Sequence, residues 1–382
     1  MSEDLHLFDQ HIDRTRSNSI KWKKYQGRDI LPMWVADSDF KVPDAISGAL
    51  HRHVDHGIFG YGSAPASLTE LIVERMAERY HWHIKPEWIV YLPGLVSGLN
   101  LAVRACTDSH EGVITPAPIY PKFVTAAKFA QRPLTLSPVK LQHERWLTDL
   151  EATEVPDDSK LMLFCNPLNP GGTVHTRSEL NTLHRFAKKH DLIVCSDEVH
   201  CDLILDEEAH HIPFASLDED AAQRSITLIA PSKTFNIAGL GAAMAIIPSF
   251  ELRRRFNRVR AGIVPDMNVL AYTAAEAAYR DCQPWLTQQL NYLRQHRDRL
   301  MKEINAMPGL KLHPIEATYL AWIDASELPV ENPHAFFEAA GVGFSPGADF
   351  GHPGFIRMNF ACTTDTLTLA IDRMRHAIES IG

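Results

Sequence analysis

The sequence predicts an α/β protein: one large, mostly parallel sheet covered by helices, followed by a smaller α+β unit. Short apolar runs alternate with amphipathic, helix-length stretches between residues 112 and 248, and the pattern changes after about residue 285. Such alternation implies strands joined by helical crossovers. A length of 382 residues, 45% of them hydrophobic, suffices for one large core and a smaller second one.

The strand-like runs are residues 112–115, 161–165, 192–195, 226–229 and 243–247, with 178–190 as a clear amphipathic helix between two of them. Residues 285–305, rich in Arg and Gln, read as one long helix leading out of the main sheet. Beyond it 318–324 alternates like a strand, 333–340 is helical and 355–360 is again strand-like. The expected division is a large unit over 51–284 and a small unit made of 1–50 with 285–382, leaving a cleft between them.

The formal charge of −9 and a pI near 6.1 argue against a nucleic-acid platform, which needs concentrated Lys and Arg. The basic clusters at 21–24 and 253–255 read as solvated faces. No apolar stretch approaches the roughly 20 residues that span a bilayer. Met1-Ser2-Glu3-Asp4 is acidic and lacks the basic-then-apolar order of a secretory signal, so a cytoplasmic protein is expected. The six cysteines form no close pair and are expected as free thiols, with Cys165 and Cys195 as small buried hydrophobes. The 20 histidines show no ligand spacing, and His210-His211 falls in an acidic loop; no metal site is expected.

Polar residues cluster just after the apolar runs. Asn166-Pro167-Leu168-Asn169-Pro170-Gly171-Gly172 follows the run at 161–165, Ser196-Asp197-Glu198-Val199-His200 follows 192–195, and Lys233 follows the run ending at Ala230. Strand carboxyl ends are where open α/β sheets bind ligands. An amine there can form a Schiff base with an aldehyde cofactor. An Asn, an Asp and a Lys on one rim fit pyridoxal 5′-phosphate: Lys233 for the covalent link, Asp197 for the ring nitrogen and Asn169 for the phenolic oxygen. The phosphate needs donors without bulk, and a helix starting after Pro93-Gly94 would offer the amides of Gly94, Leu95 and Val96. The same residues also suit an ordinary helix start with Gly98 chosen for packing. Ser232 adds a hydroxyl, and Tyr120 suits either a ring-stacking role or a buried structural one.

The ordered set Asn-Pro-x-Asn-Pro-x-Gly, Ser-Asp-Glu-Val-His, Ser-Lys-Thr-Phe-Asn and Arg-Met-Asn-Phe-Ala resembles fold-type I pyridoxal-phosphate enzymes of the class I/II aminotransferase superfamily. Lys21-Trp22, the stretch Met33 to Phe40, Ile58-Phe59-Gly60-Tyr61-Gly62 and residues 230–240 are similar to the cystathionine β-lyase branch of MalY/PatB type. The resemblance implies that Lys233 is the covalent lysine and proton shuttle, Asp197 the pyridinium partner, Asn169 the donor to the phenolic oxygen, and Arg357 the clamp on the substrate carboxylate. His200 stands where many aminotransferases place a Tyr. Ala36, in the Met33–Phe40 stretch, is expected on the substrate side. Tyr61 would reach the cofactor phosphate of a neighbouring subunit, implying a homodimer. Many branch members carry Met at the position of Ser38, Pro-Arg at Thr363-Thr364 and Thr at Gly171, and the first two differences are expected near substrate-side or small-unit surfaces.

The implied activity is a carbon–sulfur β-lyase acting on L-cystathionine or a related cysteine S-conjugate, releasing pyruvate, ammonia and a thiol. An aminotransferase shares every named residue. A cofactor-fold protein with a regulatory binding role is the reading from another class, and retention of Lys233, Asp197 and Arg357 weighs against it as the sole function.

Overall fold

The computed structural model describes residues 7–381, so the reading made on Met1-Ser2-Glu3-Asp4 lies outside the described residues. An eight-stranded sheet runs in the order Ile89–Leu92, Ala243–Ile246, Ser225–Ile229, Ile193–Asp197, Ser159–Cys165, Gly112–Ala117, Leu134–Gln142, Arg145–Thr148. Its five interior strands, from Ser225–Ile229 to Leu134–Gln142, pair parallel. The flanking pairs are antiparallel. The α/β fold expected from the alternation is therefore present, and the helix at Arg177–Lys189 begins with a reciprocal Thr176–Glu179 capping box.

Three strands escaped the sequence reading, and all lie toward the edges of the sheet. Ile89–Leu92 alternates between buried and half-buried, and Leu134–Gln142 and Arg145–Thr148 are largely wetted. Central strands such as Ser225–Ile229 are buried at every position and so read as largely apolar runs. The strand Ala243–Ile246 returns antiparallel because residues 230–242 hold no long crossover helix, and a parallel return needs one.

A second, antiparallel sheet is built from Lys311–Leu312, Leu320–Asp324, Phe355–Asn359 and Ser345–Pro346. The amino-terminal segment joins this side of the molecule: Leu31–Pro32 pairs parallel with Val342–Gly343. The helix Gln283–Asn305 connects the two sheets and turns Leu286, Leu293, Leu300 and Ile304 inward at helical spacing. Among the described residues no helix is long and apolar enough to cross a membrane.

One surface expectation fails. Lys21 is 1% exposed, because its ammonium donates to Asp39 Oδ2 at 2.7 Å and to the Asp37 carbonyl at 2.9 Å. His211 is likewise buried, with Nε2 2.8 Å from Glu198 Oε2. In both cases a partner distant in sequence offsets the cost of desolvating a polar group. Lys21→Met should lower the thermal unfolding midpoint, since losing hydrogen bonds to a charged group costs about 1.5–3 kcal/mol. Raising the salt concentration should not reproduce the loss, because a buried pair is poorly screened.

Candidate active site

A cavity of about 410 Å³ opens at the carboxyl ends of four parallel strands. Gly112–Ala117 leads to Tyr120, Ser159–Cys165 to Asn169, Ile193–Asp197 ends on Asp197, and Ser225–Ile229 leads to Lys233; all four side chains line the cavity. Consecutive crossovers diverge on either side of Gly112–Ala117 and Ser159–Cys165, so the cavity occupies the topological switch point. Arg357 enters from the second sheet, and Val35 and Ala36 close the same space from the amino-terminal segment.

Arg357 is buried without a carboxylate partner among the described residues. Its Nη1 donates to Asn169 Oδ1 at 2.9 Å, and its Nη2 to the Trp34 carbonyl at 3.0 Å and Ser345 Oγ at 3.3 Å. The guanidinium carbon stands 4.6 Å from the Phe350 ring centroid, and Nε has no partner. Burial pulls its pKa down to about 10. A cation held by neutral groups is a receptor for a carboxylate. The bond from Arg357 also fixes the Asn169 amide, because only its oxygen can accept, leaving Nδ2 as the donor.

Burial likewise drives Lys233 down to about 8; Asp37 and Asp197 oppose the shift and Arg357 reinforces it. Its Nζ donates to the Ala36 carbonyl at 2.7 Å. Asp197 is pushed up to about 7 by burial, despite the Val199 amide 3.1 Å from Oδ1. His200 is held down to about 3, first by burial and then by Lys233 and Arg357, so its ring is neutral; Nδ1 has no partner. Burial raises the Tyr120 hydroxyl pKa.

The helix Leu95–Cys106 starts on Gly94 with no side-chain cap, and Gly94, Leu95, Val96 and Ser97 all line the cavity. Its first amides are free donors at the positive end of a helix dipole. A Cβ on Gly94 would meet nothing within 4 Å. The adjoining wall needs glycine: Gly241 has φ +74°, and a Cβ there would lie 2.4 Å from the Pro93 carbonyl oxygen. Ser232, Ala238 and Ala242 follow the same wall. The uncapped amides, the unpartnered His200 Nδ1, the lone Asp197 carboxylate and the Lys233 amine together fit a phosphorylated aldehyde with a ring nitrogen.

The structure thus brings together Lys233, Asp197, Tyr120, Asn169, His200, Gly94, Leu95, Val96, Ser232, Arg357 and Ala36. Tyr61 stays outside, fully exposed beside exposed Ile58 and Phe59. Of the two asparagines in the turn, Asn166 is structural, accepting the His175 amide and donating to the Ile212 carbonyl. Ser38 is buried rather than on a surface, and Thr363 caps the helix Thr364–Glu379. Val35, Phe123, Cys165, Val199 and the 238–242 wall were missed, since apolar lining carries no chemical signature in a sequence.

The family model described as Aminotransferase class I and II matches residues 33–374. Cystathionine beta-lyase PatB of Bacillus subtilis (strain 168) is 35% identical over 385 residues, covering 97% of this chain and 99% of that protein. A crystal structure of OvoB superposes with a TM-score of 0.96 at 54% identity, covering 97% of this chain and 99% of that one. The PLP-bound C-S lyase from Staphylococcus hominis gives 0.90 at 30% identity, with 97% of each chain covered.

The depressed Lys233 pKa has a measurable sign. The charged amine is lost as pH rises through about 8, so trace acylation of cofactor-free protein should label Lys233 increasingly up to that pH and then level off. Exposed lysines should keep gaining reactivity toward about 10.4. Peptide mass spectrometry across the pH series gives both curves.

Proposed function

The chain belongs to the aminotransferase class I and II family, and from that premise we propose that it is a pyridoxal-phosphate-dependent carbon–sulfur β-lyase acting on L-cystathionine or a related cysteine S-conjugate. The observation that carries the reading is a buried guanidinium, without a counter-ion among the described residues, sharing one cavity with a partly neutral lysine and a buried carboxylate. That set suits α-proton removal from an α-amino acid.

Lys233, Asp197, Asn169, His200, Tyr120, Ser232 and the amides of Gly94, Leu95 and Val96 would hold the cofactor. Bound there, pyridoxal phosphate supplies an aldehyde that takes up amino groups and a ring that withdraws electrons from the α-carbon. Arg357 holds the substrate carboxylate in its planar fork and thereby orients the α C–H bond. The Lys233 amine, neutral above about pH 8, receives the α-proton at Nζ and can return it. Asp197 would supply negative charge to the cofactor's ring nitrogen, and apolar Val35, Phe123 and Val199 restrict water.

The relatives named above favour elimination over transamination. Two-unit organisation, 51–284 and 1–50 with 285–382, is supported by the two sheets, although the helix Asp44–His56 straddles the boundary. Six buried free thiols suit a reducing cytoplasm. Exposed Ile58, Phe59 and Tyr61 support a homodimer in which Tyr61 serves the neighbouring site.

Three measurements test the reading. Purified protein given L-cystathionine without a keto acid should release pyruvate and thiol in equal amounts, whereas keto-acid-dependent amino transfer without thiol would make it an aminotransferase. Arg357→Lys should raise KM strongly, by roughly tenfold or more, because an ammonium cannot reproduce the bidentate fork. Mixing inactive Lys233→Ala and Tyr61→Ala subunits by unfolding and reassembly should restore about a quarter of wild-type activity, as symmetry requires for a shared site. Silence with mixed dimers present would remove Tyr61 from that role.

A further inference from the structure

Where the amino-terminal segment closes the cavity, an unusually dense set of bonds meets one short stretch of main chain. Five consecutive carbonyls, Trp34 to Ser38, each accept a side-chain donor. Arg357 and Ser345 hold Trp34, Asn359 holds Val35 at 2.6 Å, and Lys233 holds Ala36. Lys21 and Asn359 share Asp37, while Arg14 and Asn236 share Ser38.

Arg14 has the widest grip. Its Nη1 reaches Asp37 Oδ1 at 3.1 Å, the Ser38 carbonyl at 3.0 Å and Asp39 Oδ1 at 2.8 Å; its Nη2 reaches Asp37 Oδ2 and Ser19 Oγ, each at 3.0 Å. We propose that Arg14, which does not line the cavity, is a positioning residue for the Lys233 amine: it latches the 34–40 strap so that the Ala36 carbonyl holds Nζ. The inference rests on reading Lys233 as the reactive amine, but not on the fate of the substrate sulfur.

The latch has two separable parts. Mechanically, the guanidinium fork ties Asp37 and Asp39 on either side of Ser38, a geometry that an ammonium cannot copy. Electrically, Arg14 neutralises Asp37, and the Asp37 carboxylate heads the charges favouring protonated Lys233. The other groups facing Nζ are Asp197 and His200, at and just after the end of the strand Ile193–Asp197, and Arg357 from Phe355–Asn359. Removing Arg14 leaves Asp37 unopposed, which raises the pH at which the amine becomes a base.

The test uses the full-length holoenzyme and L-alanine, which has no β leaving group, so failure of the lyase reading cannot be mistaken for failure of this one. Exchange of the alanine α-hydrogen in heavy water reports the Lys233 proton transfer by NMR. Backbone hydrogen exchange reports the strap through a peptide covering residues 33–40. Arg14→Met should cut α-hydrogen exchange about tenfold or more with a smaller change in KM, because Arg357 keeps its bonds to Asn169 and Ser345. The pH limb assigned to the amine should move upward, and the 33–40 peptide should exchange faster while Ile193–Asp197 does not.

Arg14→Lys, which keeps the charge, should restore the pH limb more fully than the strap protection. The double variant Arg14→Met/Asp37→Asn removes the Asp37 carboxylate that Arg14 opposes; it should bring the limb back down while the strap stays loose, and it decides the matter if Arg14→Met does not fold. Wild-type strap protection and an unmoved pH limb in Arg14→Met, or wild-type strap protection and α-hydrogen exchange in the double variant, would overturn the proposal.

Discussion

Lys233, Asp197 and Arg357 are buried in one cavity, and the fold supplies each with less stabilisation than its charge demands. Arg357 is drawn toward its neutral form, Lys233 is brought close to physiological pH, and Asp197 is pushed up to about 7, in each case first by burial. Confining such charges is unfavourable by itself. The structure holds them apart, Asp197 at the end of one strand and Lys233 after another in the large sheet and Arg357 in the second sheet, with no ion pair between them among the described residues. Interactions left unsatisfied in the protein are those that a zwitterionic amino acid and an anionic, ring-bearing cofactor can complete.

The scaffold that holds these groups apart is visible in the packing around them. Phe350 lies against the Arg357 guanidinium and Trp322 stacks on Phe355, with ring centroids 4.9 Å apart, so the strand carrying Arg357 is backed by aromatic surface. Behind the Lys233 loop, Asp202 accepts from Arg75 and Tyr80 at 2.6 Å and from Thr234 at 3.3 Å. Carboxylate and cation are matched there, in contrast to the cavity a few residues away. Burial holds the Tyr80 hydroxyl protonated, so it donates to Asp202 across the pH range in which the enzyme would work. One chain thus contains both a closed buried network, which anchors, and an open one, which binds.

Much of the site was legible because it sits where strands end. Asn169, Asp197 and Lys233 each follow a largely apolar run, and a run of that kind fixes both the strand and the direction in which its successor leaves the sheet. Gly94 was legible as a helix start, although the sequence could not distinguish an uncapped start from an ordinary one. Arg357 carried no local mark: it lies in a strand of the second sheet, and its role came through family resemblance. Partial exposure hid the edge strands; the burial of Lys21 and the His211–Glu198 pair were hidden for another reason. Each depends on a partner many residues away, and neither periodicity nor composition records which distant residue arrives.

The strap shows the same limit in its strongest form. Main-chain carbonyls have no residue type, so a sequence cannot reveal that Trp34 to Ser38 are gripped by side chains from three regions of the chain. Their collective geometry nevertheless connects the two sheets: Arg357 and Asn359 belong to one, Lys233 and Asn236 follow a strand of the other, and Arg14 precedes both. A displacement of the strap would disturb the carboxylate clamp through Trp34 and the amine through Ala36 together. The distance between the two groups that handle an amino acid is therefore set by a peptide segment contributing backbone rather than chemistry, which explains how residues outside the cavity can govern a reaction within it.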